Sequence, residues 1–281
     1  NAGMVSGNII LGVGADVVSN SGRITGNLDL GDGNDSLALS GQIMGNVLGG
    51  DGSDTVMLAP GGSISGGLDF GAGNDTFMIG SNALSAIGGA IIGGAGTDKI
   101  ALDVASSDRF ELLPGRLSEF ETFDKTGTGF LNQTGTASFS QVNILGGSYA
   151  VNGVQAGDIL VAQSATLLGA GRINGNVTVQ GTLSPGNSPG VLTVQGGVSF
   201  AAGSTFAVDL SPTIADQLKT TGAVTIAGGT LAFSTTGAPM DFRGKTFDLI
   251  VSDASVTGDF AQKTGLPAGL KSTTGVVNGC A

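Results

Sequence analysis

Three observations predict an all-β chain, a single-stranded right-handed parallel β-helix (solenoid) closed by a C-terminal β cap. Glycine supplies 52 of 281 residues, far above the usual ~7%, and without the strict three-residue period of a collagen. The N-terminal third repeats itself at steps of 19 to 23 residues. Every copy carries short alternating segments, such as DSLAL and DTVML, with Gly, Asn and Asp at their ends, the pattern of strands joined at corners. A period of this length is too short for two packed helices, and one coil cannot bury its inward side chains alone. Stacking the coils ~4.8 Å apart makes the continuous core.

The coils follow in order. GMVSGNIILGVGADVVSNS opens at Gly3, GRITGNLDLGDGNDSLALS at Gly22, GQIMGNVLGGDGSDTVMLA at Gly41 and GGSISGGLDFGAGNDTFMIG at Gly61; a shorter copy, AIGGAIIGGAGTDKIAL, opens at Ala86. Asp16, Asp35, Asp54, Asp75 and Asp98 mark the register. The inward rows predicted from the alternation are Ile24, Leu28, Leu30, Leu37 and Leu39, then Ile43, Val47, Val56 and Leu58, then Ile64, Leu68, Phe70, Phe77 and Ile79. Regular coils therefore occupy 1–102. Residues 103–170 are predicted as irregular coils with a charged, protruding segment, because 103–125 hold nine charged residues and Pro114-Gly115 interrupts any long helix. GRINGNVTVQG, from Gly171, repeats the motif at Gly22, so 171–281 are read as the final coils and a β module that covers the end of the stack.

Composition excludes several chemistries. There is no His, which removes a Ser-His-Asp triad and any imidazole metal centre. The single cysteine, Cys280, permits no internal disulfide or thiolate zinc cluster. A net charge of -11 disfavours nucleic acid and acidic membrane surfaces as partners. No run of 18 apolar residues is present, and the first ten residues lack the basic flank and apolar core of a signal peptide. The Gly-x-Gly turns are followed by neither a Gly-Lys-Ser/Thr sequence nor a helix start, so they do not read as phosphate loops.

GTLSPGNSPGVLTVQGG from Gly181 with FAAGSTFAVDLSP after it, FETFDKTGTGFLNQTG from Phe120, and FDLIVSDASVTGDF from Phe247 resemble segments of the passenger domains of bacterial autotransporters. The first is similar to the passenger-associated repeat, and the last to the autochaperone-like end of the passenger. The resemblance implies export through the periplasm and outer membrane by a C-terminal β-barrel translocator, with the passenger secreted or displayed on the cell surface. The 21 residues after Phe260 are too few for such a barrel of about twelve strands. Passengers of this family include adhesins, toxins, proteases and receptor ligands, so the shared fold does not choose among these roles.

Three sets of residues are candidates for function. The turns GDGNDSL, GDGSDTV and GAGNDTF place Asp32, Asp35, Asp51, Asp54 and Asp75 along one edge. They read either as hydrogen-bonded turns or as weak calcium ligands that relieve repulsion between stacked carboxylates. Asn8, Asn27, Asn46 and Asn176 read as a corner ladder of paired side-chain amides. Asp103, Asp108, Arg109, Glu111, Arg116, Glu119 and Glu121 are either solvated surface or a loop that binds a partner. The expectation is a monomeric, non-enzymatic passenger without a cofactor that binds a host-cell protein or glycan. The alternatives are a polysaccharide-active β-helix enzyme, with Asp103, Asp108, Arg109 and Glu111 as its compact charged cluster, or the stalk and folding module of a larger passenger.

Overall fold

A computed structural model describes residues 1–80, 84–106, 109–112, 114–187, 189–235 and 241–271, with 109–112 and 114 described by backbone alone. The chain divides into two units, Asn1–Gly127 and Thr128–Ala281. Both are built from parallel strand columns, so the molecule is an all-β, right-handed parallel β-solenoid, as the alternation and period predict.

In the first unit the coils build three columns, the first of them four strands deep and the other two six deep among the described residues. The first column holds Met4–Val5, Arg23–Ile24, Gln42–Ile43 and Ser63–Ile64. The second runs through Ile9–Ile10, Leu28–Asp29, Val47–Asp51, Leu68–Gly73, Ile91–Ile92 and Leu117–Ser118. The third runs through Val17–Asn20, Ser36–Leu39, Thr55–Leu58, Thr76–Gly80, Lys99–Asp103 and Thr122–Thr126. Partners are in register, so like stacks on like: Ile24, Ile43 and Ile64 in one row, and Leu37, Val56, Phe77, Ile100 and Phe123 in another. All the predicted inward residues are buried. The row Leu39, Leu58, Ile79 and Leu102 continues onto a buried lysine, Lys125.

The lengthening of the repeat is local. Leu58 pairs with Leu39 at a step of 19, but Ser63 pairs with Gln42 at 21, so the two added residues lie between Leu58 and Ser63. The next addition lies between Ile79 and Ile87, since Ile79 pairs with Leu58 at 21 and Ile87 bridges Ile64 at 23. Both lie where the third column turns into the first, and the other corners keep their length. The last coil of the unit shortens a different corner. Leu117 is 26 residues beyond its partner Ile91, but Thr122 is only 23 beyond Lys99. Three residues of the Gly-rich turn are lost, and Glu119 takes φ 59° there.

In the second unit one column runs through Phe130–Gln133, Gly147–Val151, Ala165–Gly169, Thr182–Pro185, Thr205–Leu210, Thr230–Thr235 and Gln262–Thr264. Its inward row is Leu131, Tyr149, Leu167, Leu183, Phe206 and Leu231. The long strands Thr136–Ile144 and Val154–Val161 form the opposite wall, with a register shift between Ser138 and Gln141. In later coils that wall is two short strands, for example Val191–Val194 and Val198–Phe200. The last coil carries Ile250–Ser252 and Val256–Gly258. With Ile250 and Val256 of this coil, Phe206, Leu231, Phe233, Phe247 and Phe260 line a cavity of about 350 Å³. Among the described residues no helix is long and apolar enough to cross a membrane.

Candidate functional site

The repeated acidic turns divide into two groups. Asp35, Asp54, Asp75 and Asp98 are buried, whereas Asp32 and Asp51 are exposed. Strand parity is the cause. Asp35 precedes Leu37 and Leu39 by two and four residues, and in an extended chain all three face the same side, here the interior. The five aspartates expected along one edge are thus not one cluster.

The buried group forms a ladder. Asp35 Oδ1 accepts the backbone N–H of Asp16 at 2.7 Å, Asp54 Oδ1 that of Asp35 at 2.8 Å, and Asp75 Oδ1 that of Asp54 at 2.7 Å. Asp98 Oδ1 accepts the N–H of Asp75 at 2.7 Å, and Glu121 Oε2 accepts that of Asp98 at 2.6 Å. Glu121 closes the ladder where the turn has lost three residues; its extra methylene spans to the N–H above. The second oxygen is left over: Oδ2 of Asp35, Asp54, Asp75 and Asp98 is buried and has no hydrogen-bond partner. Gly49 leaves the room for one of them, because a Cβ there would meet Asp54 Oδ2 and the Phe70 carbonyl. Burial raises the Asp75 carboxyl to about 6 despite the Asp54 N–H, and the neighbouring Asp98 and Asp54 charges add to the rise. Asp54 and Asp98 are raised for the same leading reason, burial.

The asparagine ladder runs in the opposite sense, each side chain reaching to the following coil. Asn8 Oδ1 accepts the N–H of Asn27, Asn27 Oδ1 that of Asn46, and Asn46 Oδ1 that of Gly67, each at 2.9 Å. The rungs join a side-chain carbonyl to backbone rather than one amide to another. In the second unit Asn176 Oδ1 accepts the N–H of Gly197 at 2.9 Å, and Asp158 stands where the preceding asparagine would, accepting the Asn176 N–H at 2.7 Å.

The charged run is largely woven into the coil. Asp103 and Lys125 belong to third-column strands, and Thr126 Oγ1 donates to Asp103 Oδ1 at 3.4 Å. Arg116 Nη2 donates to the carbonyls of Ile87 and, at 2.7 Å, Gly89. Glu119 is the turn residue noted above and is exposed. Arg109 and Glu111 lie in the strand Arg109–Leu112; Asp108 lies outside the described residues. Lys125 Nζ donates to the Gly127 carbonyl at 3.0 Å. Burial lowers its ammonium to about 8, against the opposing pull of Asp103.

One buried acid escapes sequence reasoning altogether. Asp216 Oδ1 accepts the N–H of Gly190 at 2.7 Å and its Oδ2 that of Asp209 at 2.9 Å. It thereby clamps the SPGNSPG turn, whose Gly186 has φ +87° and would drive a Cβ into Asp216. Burial raises its carboxyl, and the two N–H donors oppose the rise.

Among the described residues no group of three or more acidic or cysteine side chains has the convergence that holds a metal ion. The acidic repeats serve as rungs between coils. No protein-family model matches the chain, and no curated protein matches it.

Proposed function

We propose that the chain is a secreted or surface-displayed passenger of the autotransporter type, a β-solenoid scaffold that presents a non-enzymatic binding surface to host cells. The observation that carries the reading is that its repeat-borne polar residues, Asp35 to Asp98 and Asn8 to Asn46, are engaged by the backbones of neighbouring coils. Residues tied to stacking are not available to vary, so specificity belongs to the segments between columns. The stretch between the strands Lys99–Asp103 and Leu117–Ser118 holds one further strand, Arg109–Leu112, and it carries Asp108, Arg109 and Glu111, the charged residues to which we assign specificity. Its partner is a host surface protein or glycan, and delivery uses a β-barrel translocator of the same precursor. Calcium, if bound, belongs to the exposed acids Asp32 and Asp51 rather than to a cofactor site.

Saturable attachment of the purified chain to host cells tests the reading. The side-chain variant Asp108→Asn/Arg109→Gln/Glu111→Gln, which leaves the backbone of the strand Arg109–Leu112 in place, is expected to reduce attachment at least about tenfold, the loss of one interface hot spot. Undiminished attachment removes the segment from the mechanism. Absence of attachment by the intact chain favours the stalk and folding-module reading. Release of reducing ends from host or bacterial polysaccharide would instead establish the enzymatic alternative.

A further inference from the structure

A buried carboxylate oxygen without a partner is costly, and native structures seldom keep one unexplained. This ladder keeps four in succession: Asp35, Asp54, Asp75 and Asp98, each no more than 2% exposed. A backbone N–H satisfies one oxygen of each, while the other faces the interior. Such a group is relieved by a cation, by a base or by a proton.

The surroundings favour the proton. Facing Asp54 is Asp35; facing Asp75 are Asp54 and Asp98; facing Asp98 are Glu121 and Glu119. Asp16, on the first coil, supplies only its N–H to the ladder. Lys99, next to Asp98 in sequence, has a side chain 43% exposed and pairs with Asp124 at 3.9 Å. Lys125 lies on the coil below and donates to Gly127. All the charges that face these three carboxyls are therefore negative, and a neutral carboxyl is the form that both burial and neighbours prefer.

We propose that Asp54, Asp75 and Asp98 take up protons inside the folded coil stack, so that the first unit resists unfolding better in weak acid than at neutral pH. A protonated rung keeps Oδ1 for the backbone N–H above and turns Oδ2–H into a donor for the neighbouring carboxyl, which supplies the missing partner. The direction follows from linkage. An unfolded aspartate has a pKa of ~3.9, and the folded values lie above it, at about 6 for Asp75. Between those limits the folded state holds protons that the unfolded chain has released, so stability is full below the lower limit and falls as pH rises through the upper one. This is the reverse of ordinary acid denaturation.

The test uses the full chain in chelator-containing buffer. Hydrogen-exchange protection of peptides covering 36–58 and 76–103, corrected for the intrinsic effect of pH on exchange, is expected to be roughly tenfold greater at pH 5 than at pH 7.5, the ratio produced by one carboxyl that titrates at about 6 in the folded chain and at ~3.9 in the unfolded one. The triple variant Asp54→Asn/Asp75→Asn/Asp98→Asn, neutral at every pH, is expected to lose that difference. Equal or lower protection at pH 5, or a variant that keeps the wild-type difference, overturns the proposal. Should the variant fail to fold, potentiometric titration of the unaltered chain decides. The folded chain is expected to bind more protons than the guanidinium-unfolded chain between pH 4 and 6, and no excess overturns the idea. Calcium is the third arm: if millimolar calcium restores full protection at pH 7.5, the carboxyls hold a cation and the proton assignment fails.

Discussion

Gly52 shows how little freedom a single position in this stack has. Its φ is +131°, and a Cβ would collide with the Gly33 carbonyl of the coil before. Two independent penalties meet here, a left-handed backbone and a clash with main chain that cannot move without disturbing its own rungs. Gly52→Ala is expected to destabilise the first unit by at least about 2 kcal/mol, read as a lowered melting temperature. Gly80→Ala provides the contrast, since nothing lies within 4 Å of a Cβ there and its φ is unexceptional; a change beyond ~0.5 kcal/mol would be a surprise. Lys125 is the other singular residue, a buried base stacked on the apolar row of Leu102. Its folded value of about 8 lies below the ordinary 10.5, so between those limits the unfolded chain binds the extra proton and stability rises with pH. A melting temperature that climbs by a few degrees from pH 8 to 10 in the wild type, and stays flat in Lys125→Met, is the expected pair of results; a rise that persists in the variant assigns the titration elsewhere.

The strands were legible because alternation and register are both written in the chain. Leu37, Val56 and Phe77 could be placed inward from their positions after each Asp, and they stack as read. The role of the Asp itself was not read, although the same parity carries it: Asp35, Leu37 and Leu39 are inward together, as are Glu121, Phe123 and Lys125. A charged residue after glycine reads as a turn, and only stacking shows that its oxygen is needed by another coil. Glu121 is named in the sequence only as part of the charged run, and its place in the ladder is hidden because three lost residues mask its equivalence to Asp98. Asp216 had no signal, because the turn it clamps is 26 residues away in sequence. Its strand, Gln217–Thr220, begins one residue later, so the clamp couples the SPGNSPG turn to the column beneath it. Asp216→Ala leaves the N–H groups of Gly190 and Asp209 without acceptors, a loss of about 2–4 kcal/mol. Asp216→Asn is expected to recover only part of it, because an amide NH₂ in place of Oδ2 opposes a donor. Faster hydrogen exchange over 186–210 in both variants is the check, and unaltered exchange in the alanine variant would dismiss the clamp.

Stacked coils make the first unit a one-dimensional object in which each coil meets only its neighbours. Changes in length should therefore be tolerated in whole coils and not in fractions. Deleting 22–40 removes one complete repeat and joins Ser21 to Gly41, the same Ser-Gly junction that the wild type has between Ser40 and Gly41. In the shortened chain Met4 faces Gln42, Val18 faces Val56, and Asp54 takes over the N–H of Asp16, so every column and both ladders remain continuous. Deleting only 22–30 removes one first-column and one second-column strand while leaving Ser36–Leu39 behind. The third column would then hold a coil that the others lack, and Asn8 would lose Asn27. The whole-coil deletion is expected to keep a cooperative β transition with a melting temperature within a few degrees of wild type. The nine-residue deletion, although half as long, is expected to lower it by at least about 10 °C or abolish the first unit's transition, because rows of apolar side chains lose their partners. If the shorter deletion proves the milder one, the coils are not independent, interchangeable units of stability, and the local lengthening found between Leu58 and Ser63 would need another cause than freedom at that corner.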